Sequence, residues 1–271
     1  MAEESDRNAA NKKKKKHKRI DEHFAITLIL PVAVIILWQV AGSRGWLNAS
    51  ICPSPIRIVA AFMKQIGKGS LQNNVLVSLQ RVVIGYAIGA VLGVLIGIIT
   101  GLSRLADRIL SLTFETLRPI PIIAWVPVLI LWTGIGEESK IIVIVIGSFW
   151  SVFLNAADGI RNVDKKYIEV STIFMKSRQE VITKVVLPAA LPSIFTGLRL
   201  GVGTAWISVI GAELIAASAG LGYLISYSRE MSQPANMFVG VFTIGIIGCL
   251  INVLIRQLEK KALKWNVNTR G

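Results

Sequence analysis

Charge and cysteine are both scarce in this 271-residue sequence, in which 17% of residues are charged, two are cysteine and 53% are hydrophobic. A soluble surface ordinarily carries about a quarter charged residues, so the shortage excludes a conventional globular domain. The expected solvent is a lipid bilayer. Cys52 and Cys249 fall in different segments without metal-ligand or redox spacing, which leaves them as packing residues and predicts no metal site. A Gly-x-x-x-x-Gly-Lys-Ser/Thr phosphate loop is also missing. Its nearest fragment, Gly67-Lys68-Gly69-Ser70, lacks the first Gly at the right distance and the hydroxyl directly after Lys. Neither an enzyme nor a nucleic-acid binder is therefore expected.

A hydrocarbon core about 30 Å thick takes roughly 20 mostly apolar residues per helical crossing, so this length allows about five to seven spans. Apolar stretches occur at residues 24–42, 75–102, 109–135, 141–157, 191–217 and 237–255. They predict an all-α membrane protein with six transmembrane helices. Residues 1–23 form a basic tail, 24–258 the membrane domain and 259–271 a second tail. A signal peptide is the alternative reading of the basic start, but residues 24–42 exceed a usual signal core and no small-residue cleavage pattern follows. Eight Lys/Arg lie in the first tail, and Arg161, Lys165, Lys166, Lys176, Arg178 and Lys184 crowd the fourth connection. The opposite side holds only Arg44, Arg57, Lys64, Lys68, Lys140 and Arg229. The positive-inside rule then places both termini in the cytoplasm.

Within the second span, Gly85, Gly89, Gly93, Gly97 and Gly101 recur every four residues and share one helical face. Such a seam admits a neighbouring helix to backbone distance, which is how helices associate where lipid tails compete with larger apolar side chains. The third span is interrupted by Arg118, Pro119, Pro121 and Pro127, and proline removes a backbone donor, so it is predicted to be kinked or broken. Polar and aromatic groups at membrane depth are Arg118, Trp125, Asn155, Trp206 and Glu213. Buried charge is costly unless paired or wet, so each is a candidate for the solute path or for a structural pair. Arg118 has Glu115 or Glu213 as candidate partners, and Arg199 a place near the cytoplasmic helix end.

Between residues 158 and 187 the chain is half polar, yet Ile160, Val163, Tyr167 and Val170 or Ser171 recur at three and four residues. This predicts a short amphipathic helix, a turn, and a second helix leading to Pro188. An interfacial helix lying on the bilayer fits the same periodicity.

Glu169-Val170-Ser171, then Met175, then Val185-Val186-Leu187-Pro188 resembles the cytoplasmic signature of binding-protein-dependent ABC importer permeases. That signature reads Glu-Ala-Ala, three residues, Gly, nine residues, Ile, one residue, Leu-Pro. Val170 and Ser171 stand for its two Ala and Met175 for its Gly, whose left-handed turn conformation costs a Met about 1 kcal/mol or more. Cys52-Pro53-Ser54-Pro55, Ser78-Leu79-Gln80-Arg81-Val82, Arg118-Pro119-Ile120-Pro121 and Gly211-Ala212-Glu213-Leu214 are similar to the subgroup serving aliphatic sulfonates, taurine and nitrate.

The resemblance implies a type I ABC importer permease fold in a bacterial inner membrane, with a coupling helix between spans 4 and 5. It also implies a second permease copy, two ATPase subunits that carry ATP and Mg, and an extracytoplasmic solute-binding protein. Glu169 is then the charged anchor for an ATPase, Tyr167, Ile173 and Phe174 fill its apolar cleft, and Met175 and Pro188 shape the loop. A secondary transporter or channel, or a membrane anchor, is the competing class. A transporter or channel working alone would lack a cytoplasmic docking loop, and an anchor, for which the glycine seam would suffice, has no use for a proline-broken third helix.

Overall fold

A computed structural model of the chain describes residues 29–262, so both predicted tails lie largely outside the described residues. Every regular element in it is helical. In order they are α1 (Ile29–Ser43), α2 (Pro55–Gly67), α3 (Ser70–Leu102), α4 (Arg104–Leu117), α5 (Ile122–Thr133), α6 (Glu137–Arg161) and α7 (Lys165–Ile173). Then follow α8 (Arg178–Val181), a π turn (Ile182–Val186), α9 (Leu187–Ala216), α10 (Leu221–Glu230) and α11 (Pro234–Ala262).

Among the described residues α3, α6, α11 and the run containing α9 are long and apolar enough to cross a membrane, and α4 with α5 makes a fifth candidate. At about 1.5 Å per residue, the 33 residues of α3 extend roughly 50 Å and overshoot the hydrocarbon. The described part of α1 is shorter than a crossing, and residues 24–28 of the first predicted span lie outside the described residues.

The third predicted span is broken: α4 and α5 meet at 96°. The break falls at residues 118–121, where Pro119 and Pro121 remove two donors, whereas Pro127 lies inside α5 without ending it. Two helices were not foreseen, α2 and α10, both within segments read as connections. Pro55 opens α2 at its first turn, where a missing N–H is harmless.

α3 and α6 run parallel and α9 antiparallel to both, and the three form the core. Ile144, Ser148, Val152, Ala156 and Ile160, spaced by four on α6, stand against Gly85, Gly89, Gly93, Gly97 and Gly101 of α3 in the same order. A Cβ at Gly85 would fall 2.6 Å from that of Ile144, and one at Gly97 2.6 Å from that of Ala156. No side chain fits there without displacement. On its other flank α6 receives Ser208 at Gly147 and Ser193 at Gly159, while Asn155 and Val152 enter gaps at Gly197 and Gly201 of α9. With no hydrophobic drive between helices in lipid, this interdigitation supplies the attraction.

Candidate functional site

α6 continues to Arg161, so Ile160 lies in its last turn and Val163 in the turn after it, rather than both belonging to the loop helix. Their burial with Ala156, Val186, Ala190 and Ile194 ties the loop's base to α6 and α9. Asp164 then starts α7 by accepting the Lys166 amide at 2.9 Å, the N-cap arrangement. At the far end Ser177 and Glu180 bond reciprocally to each other's amides at 3.3 Å, a capping box that opens α8. Lys176 and Lys184 flank the Glu180 carboxylate at 3.6 and 3.0 Å.

The turn that joins α7 to α8 covers residues 174–177. Met175 at its apex has φ of 50°, the left-handed conformation that the signature's glycine would adopt without strain. The Lys176 amide donates to Ser171 O at 3.2 Å across it. Ile173, Phe174 and Met175 project outward, 77, 71 and 94% exposed, and Tyr167 is exposed on α7. Glu169 is exposed and, among the described residues, forms no ion pair. Pro188 is half-buried in the first turn of α9, directly after the π turn. A wide turn there relieves the clash of a proline ring with the carbonyl four residues back.

Left-handed backbone at a non-glycine residue costs about 1–2 kcal/mol, so Met175→Gly is expected to stabilise the turn by about 1 kcal/mol. Hydrogen exchange at the Lys176 amide, slowed several-fold, checks this. Unchanged or faster exchange means that the strain lies elsewhere.

The path candidates do not converge. Arg118 is exposed at the α4–α5 break and lines a cavity of about 140 Å³ with Glu115, Phe114, Trp150 and Arg161, where Arg161 pairs with Asp107. Trp125 is half-buried and packs onto Val126, Leu129, Val143 and Ala212. Asn155 donates to Ser151 O at 2.8 Å, and Trp206 Nε1 to Ile244 O at 3.3 Å. Arg199 pairs with Glu259 of α11 at 2.8 Å, which ties α9 to α11.

Glu213 pairs with Arg81 of α3 at 2.8 Å, not with Arg118, and both side chains are buried. Its carboxylate also accepts the Gly222 amide at 2.9 Å and has Ser78 Oγ at 2.8 Å from each oxygen. Arg81 reaches Glu137 at the start of α6 through two bonds of 2.6 Å and donates to Ala219 O at 2.7 Å. Lys140 adds a contact to Glu137 at 3.2 Å, Asn74 accepts the Gly220 amide at 2.8 Å, and Ser78 accepts the Leu221 amide at 2.9 Å. This knot ties α3, α6, α9 and the start of α10 together at the end of the bundle remote from α7. In the sequence Arg81 stands out only as part of a motif. The available signal was Asn74, Ser78 and Arg81 at spacings of four and three, a polar stripe on one face of an apolar helix.

Residues 89–263 match the family model for the binding-protein-dependent transport system inner membrane component. The putative aliphatic sulfonates transport permease protein of Bacillus subtilis (strain 168) is 39% identical over 244 residues, covering 90% of this chain and 88% of that one. Its counterpart in Escherichia coli (strain K12) is 40% identical over 237 residues, covering 88% and 90%. A chain of the MetNI methionine ABC transporter, solved in inward-facing conformations, superposes with a TM-score of 0.61 at 19% identity, covering 69% of this chain and 94% of that one. The chain belongs to the binding-protein-dependent inner membrane component family, as a multi-pass permease subunit of an ABC importer whose ATPase activity lies on a separate nucleotide-binding subunit.

Proposed function

We propose that the chain is a six-span permease that carries a small anionic solute and takes its power stroke through the α7 turn. The observation that carries this reading is the exposure of Ile173, Phe174 and Met175 at the end of α7 and on the turn after it, which the Ser177 capping box closes. Such apolar side chains on a rigid loop suit a cleft on an ATPase, with Glu169 as the charged anchor. Because Val163 and Val186 are buried at the base of the loop, a pull on α7 moves α6 and α9 with it. The glycine seam passes that movement to α3 as a rigid body.

A second copy of the chain is the proposed membrane partner. Leu200, Gly203, Ile207, Gly211 and Leu214 form a stripe on α9 that is largely uncovered, beside an apolar cavity of about 350 Å³ shared with Ile122 and Ile123 of α5. Small residues in that stripe permit close approach of another helix. Two ATPase subunits and a soluble binding protein complete the assembly, with both termini cytoplasmic. An aliphatic sulfonate is the favoured solute, on the strength of the two aliphatic sulfonates permeases among the relatives; taurine shares the sulfonate group, and nitrate stands next as another small oxyanion. Arg118 and Trp125 stay as path residues, while Glu213 and Trp206 serve the scaffold because their polar atoms are committed.

Glu169→Arg tests the docking role. A charge-assisted contact at a subunit boundary is worth about 1.5–3 kcal/mol, so reversal is expected to release the ATPase or uncouple it from uptake. The purified complex is assayed for subunit stoichiometry, for ATPase stimulation by loaded binding protein, and for vesicle uptake of an alkanesulfonate. Retention of all three at unmodified levels removes Glu169 from the coupling.

A further inference from the structure

α2 presents three different faces. At about 100° per residue, Ile58 and Phe62 point into the protein, Ile56, Val59 and Met63 form an exposed apolar flank, and Arg57, Lys64 and Lys68 form a third stripe. The basic stripe lines a groove of about 670 Å³ closed on its other side by Tyr227, Gln233 and Asn236 of the α10–α11 region. Among the described residues no carboxylate lines this groove. Among the described residues none of the three cations has an ion-pair or side-chain hydrogen-bond partner.

The groove lies beside the first residues of α3 and α11, so it sits where two spans enter the membrane at the end remote from α7. Of the other basic residues at that end, Arg81 and Lys140 are paired with Glu137, Arg44 lies over the Trp46 ring and Arg229 is exposed outside the groove, whereas Arg57, Lys64 and Lys68 line one groove with no counter-charge among the described residues. Unneutralised cations next to an exposed apolar flank on one helix are the arrangement of a helix lying in the interface.

We infer that this groove holds an anionic phospholipid, its phosphodiester on Arg57, Lys64 and Lys68 and an acyl chain along Ile56, Val59 and Met63. The charge selects a net-negative headgroup, and the flank selects a molecule with a tail over a free oxyanion. An acidic protein surface would match the cations but would leave Ile56, Val59 and Met63 uncovered.

The test uses the full chain in neutral detergent with phosphatidylglycerol carrying a photoactivatable diazirine on its acyl chain, and cross-links are mapped by peptide. Labelling of the peptide containing Val59 and Met63 is expected, saturating at concentrations where a phosphatidylcholine analogue labels weakly. In the triple variant Arg57→Gln/Lys64→Gln/Lys68→Gln the labelling is expected to need on the order of 100-fold more lipid. Labelling of the exposed α11 peptide holding Val241 and Phe242 stays constant and reports that the variant is folded. Equal labelling by the two lipids, or an unchanged triple variant, overturns the inference. So does displacement by inorganic phosphate at the concentration at which unlabelled phosphatidylglycerol displaces the probe, since the site then reads a free oxyanion. Loss of stimulation by the binding protein with lipid labelling unchanged assigns the cations to protein docking and overturns it as well.

Discussion

Arg81→Met is expected to destabilise the folded chain by about 3–5 kcal/mol, because it strands the Glu213 carboxylate, 1% exposed, without its cation. Arg81 itself is 4% exposed and is the only side chain that reaches both Glu213 and Glu137 among the described residues. Removing it unpairs a buried charge, frees Ala219 O, and loosens the start of α10 from α3. The measurement is the midpoint of SDS-induced unfolding in mixed micelles, followed by tryptophan fluorescence. Two companions make the result specific. The double change Arg81→Met/Glu213→Leu removes both charges and is expected to recover most of the loss, since a buried ion pair is often replaceable by apolar groups. Glu137→Gln is expected to cost under about 1 kcal/mol, because that side chain is 57% exposed and solvent screens the pair. A double change as damaging as the single one would mean that the knot acts through its hydrogen bonds and not through the charge pair.

Gly93→Leu carries the second large effect. A Cβ at Gly93 would lie 2.8 Å from Val152 Cβ and 3.1 Å from Phe149 O, so α3 and α6 must part to admit even an alanine. Overpacking of a tight interior costs about 1–3 kcal/mol, and the separation weakens every step of the seam from Gly85 to Gly101. Reduced accumulation in the membrane, a lower unfolding midpoint and lost transport are the expected readings. Gly245→Leu on α11 is the control, because among the described residues nothing lies within 4 Å of a Cβ built there. A helix-interior glycine replaced by leucine without a clash is neutral or slightly stabilising. Normal assembly of Gly93→Leu would show that the seam is more plastic than its geometry.

Several of these features are legible in the amino-acid sequence by itself. Composition determined the solvent, because 53% apolar residues in long runs are not buried by 271 residues in water. The glycine spacing of four determined a groove along α3, since a helix places every fourth residue on nearly one line. Proline pairs determined that the third apolar run breaks, because two missing donors end a hydrogen-bonded helix. Resemblance to the importer signature likewise put Met175 at the place of that signature's glycine, and its φ of 50° lies in the left-handed region.

Other features were decided only by the tertiary structure. Which helix fills the α3 groove, and in which register, depends on side-chain volumes on α6 that are not adjacent in sequence to any glycine they meet. The 96° between α4 and α5 depends on what each half packs against, because proline ends a helix without setting its new direction. α2 and α10 leave no mark in hydropathy averaged over a crossing, because a 13- and a 10-residue helix with one buried face look like connections on that scale. The partner of Glu213 lies 132 residues away on α3, and a charge carries no local mark of the charge that will neutralise it. Sequence shows that an intramembrane carboxylate needs a counter-charge, because desolvation of a bare ion is prohibitive; only the fold, by bringing α3 and α9 to contact distance, selects Arg81 over Arg118.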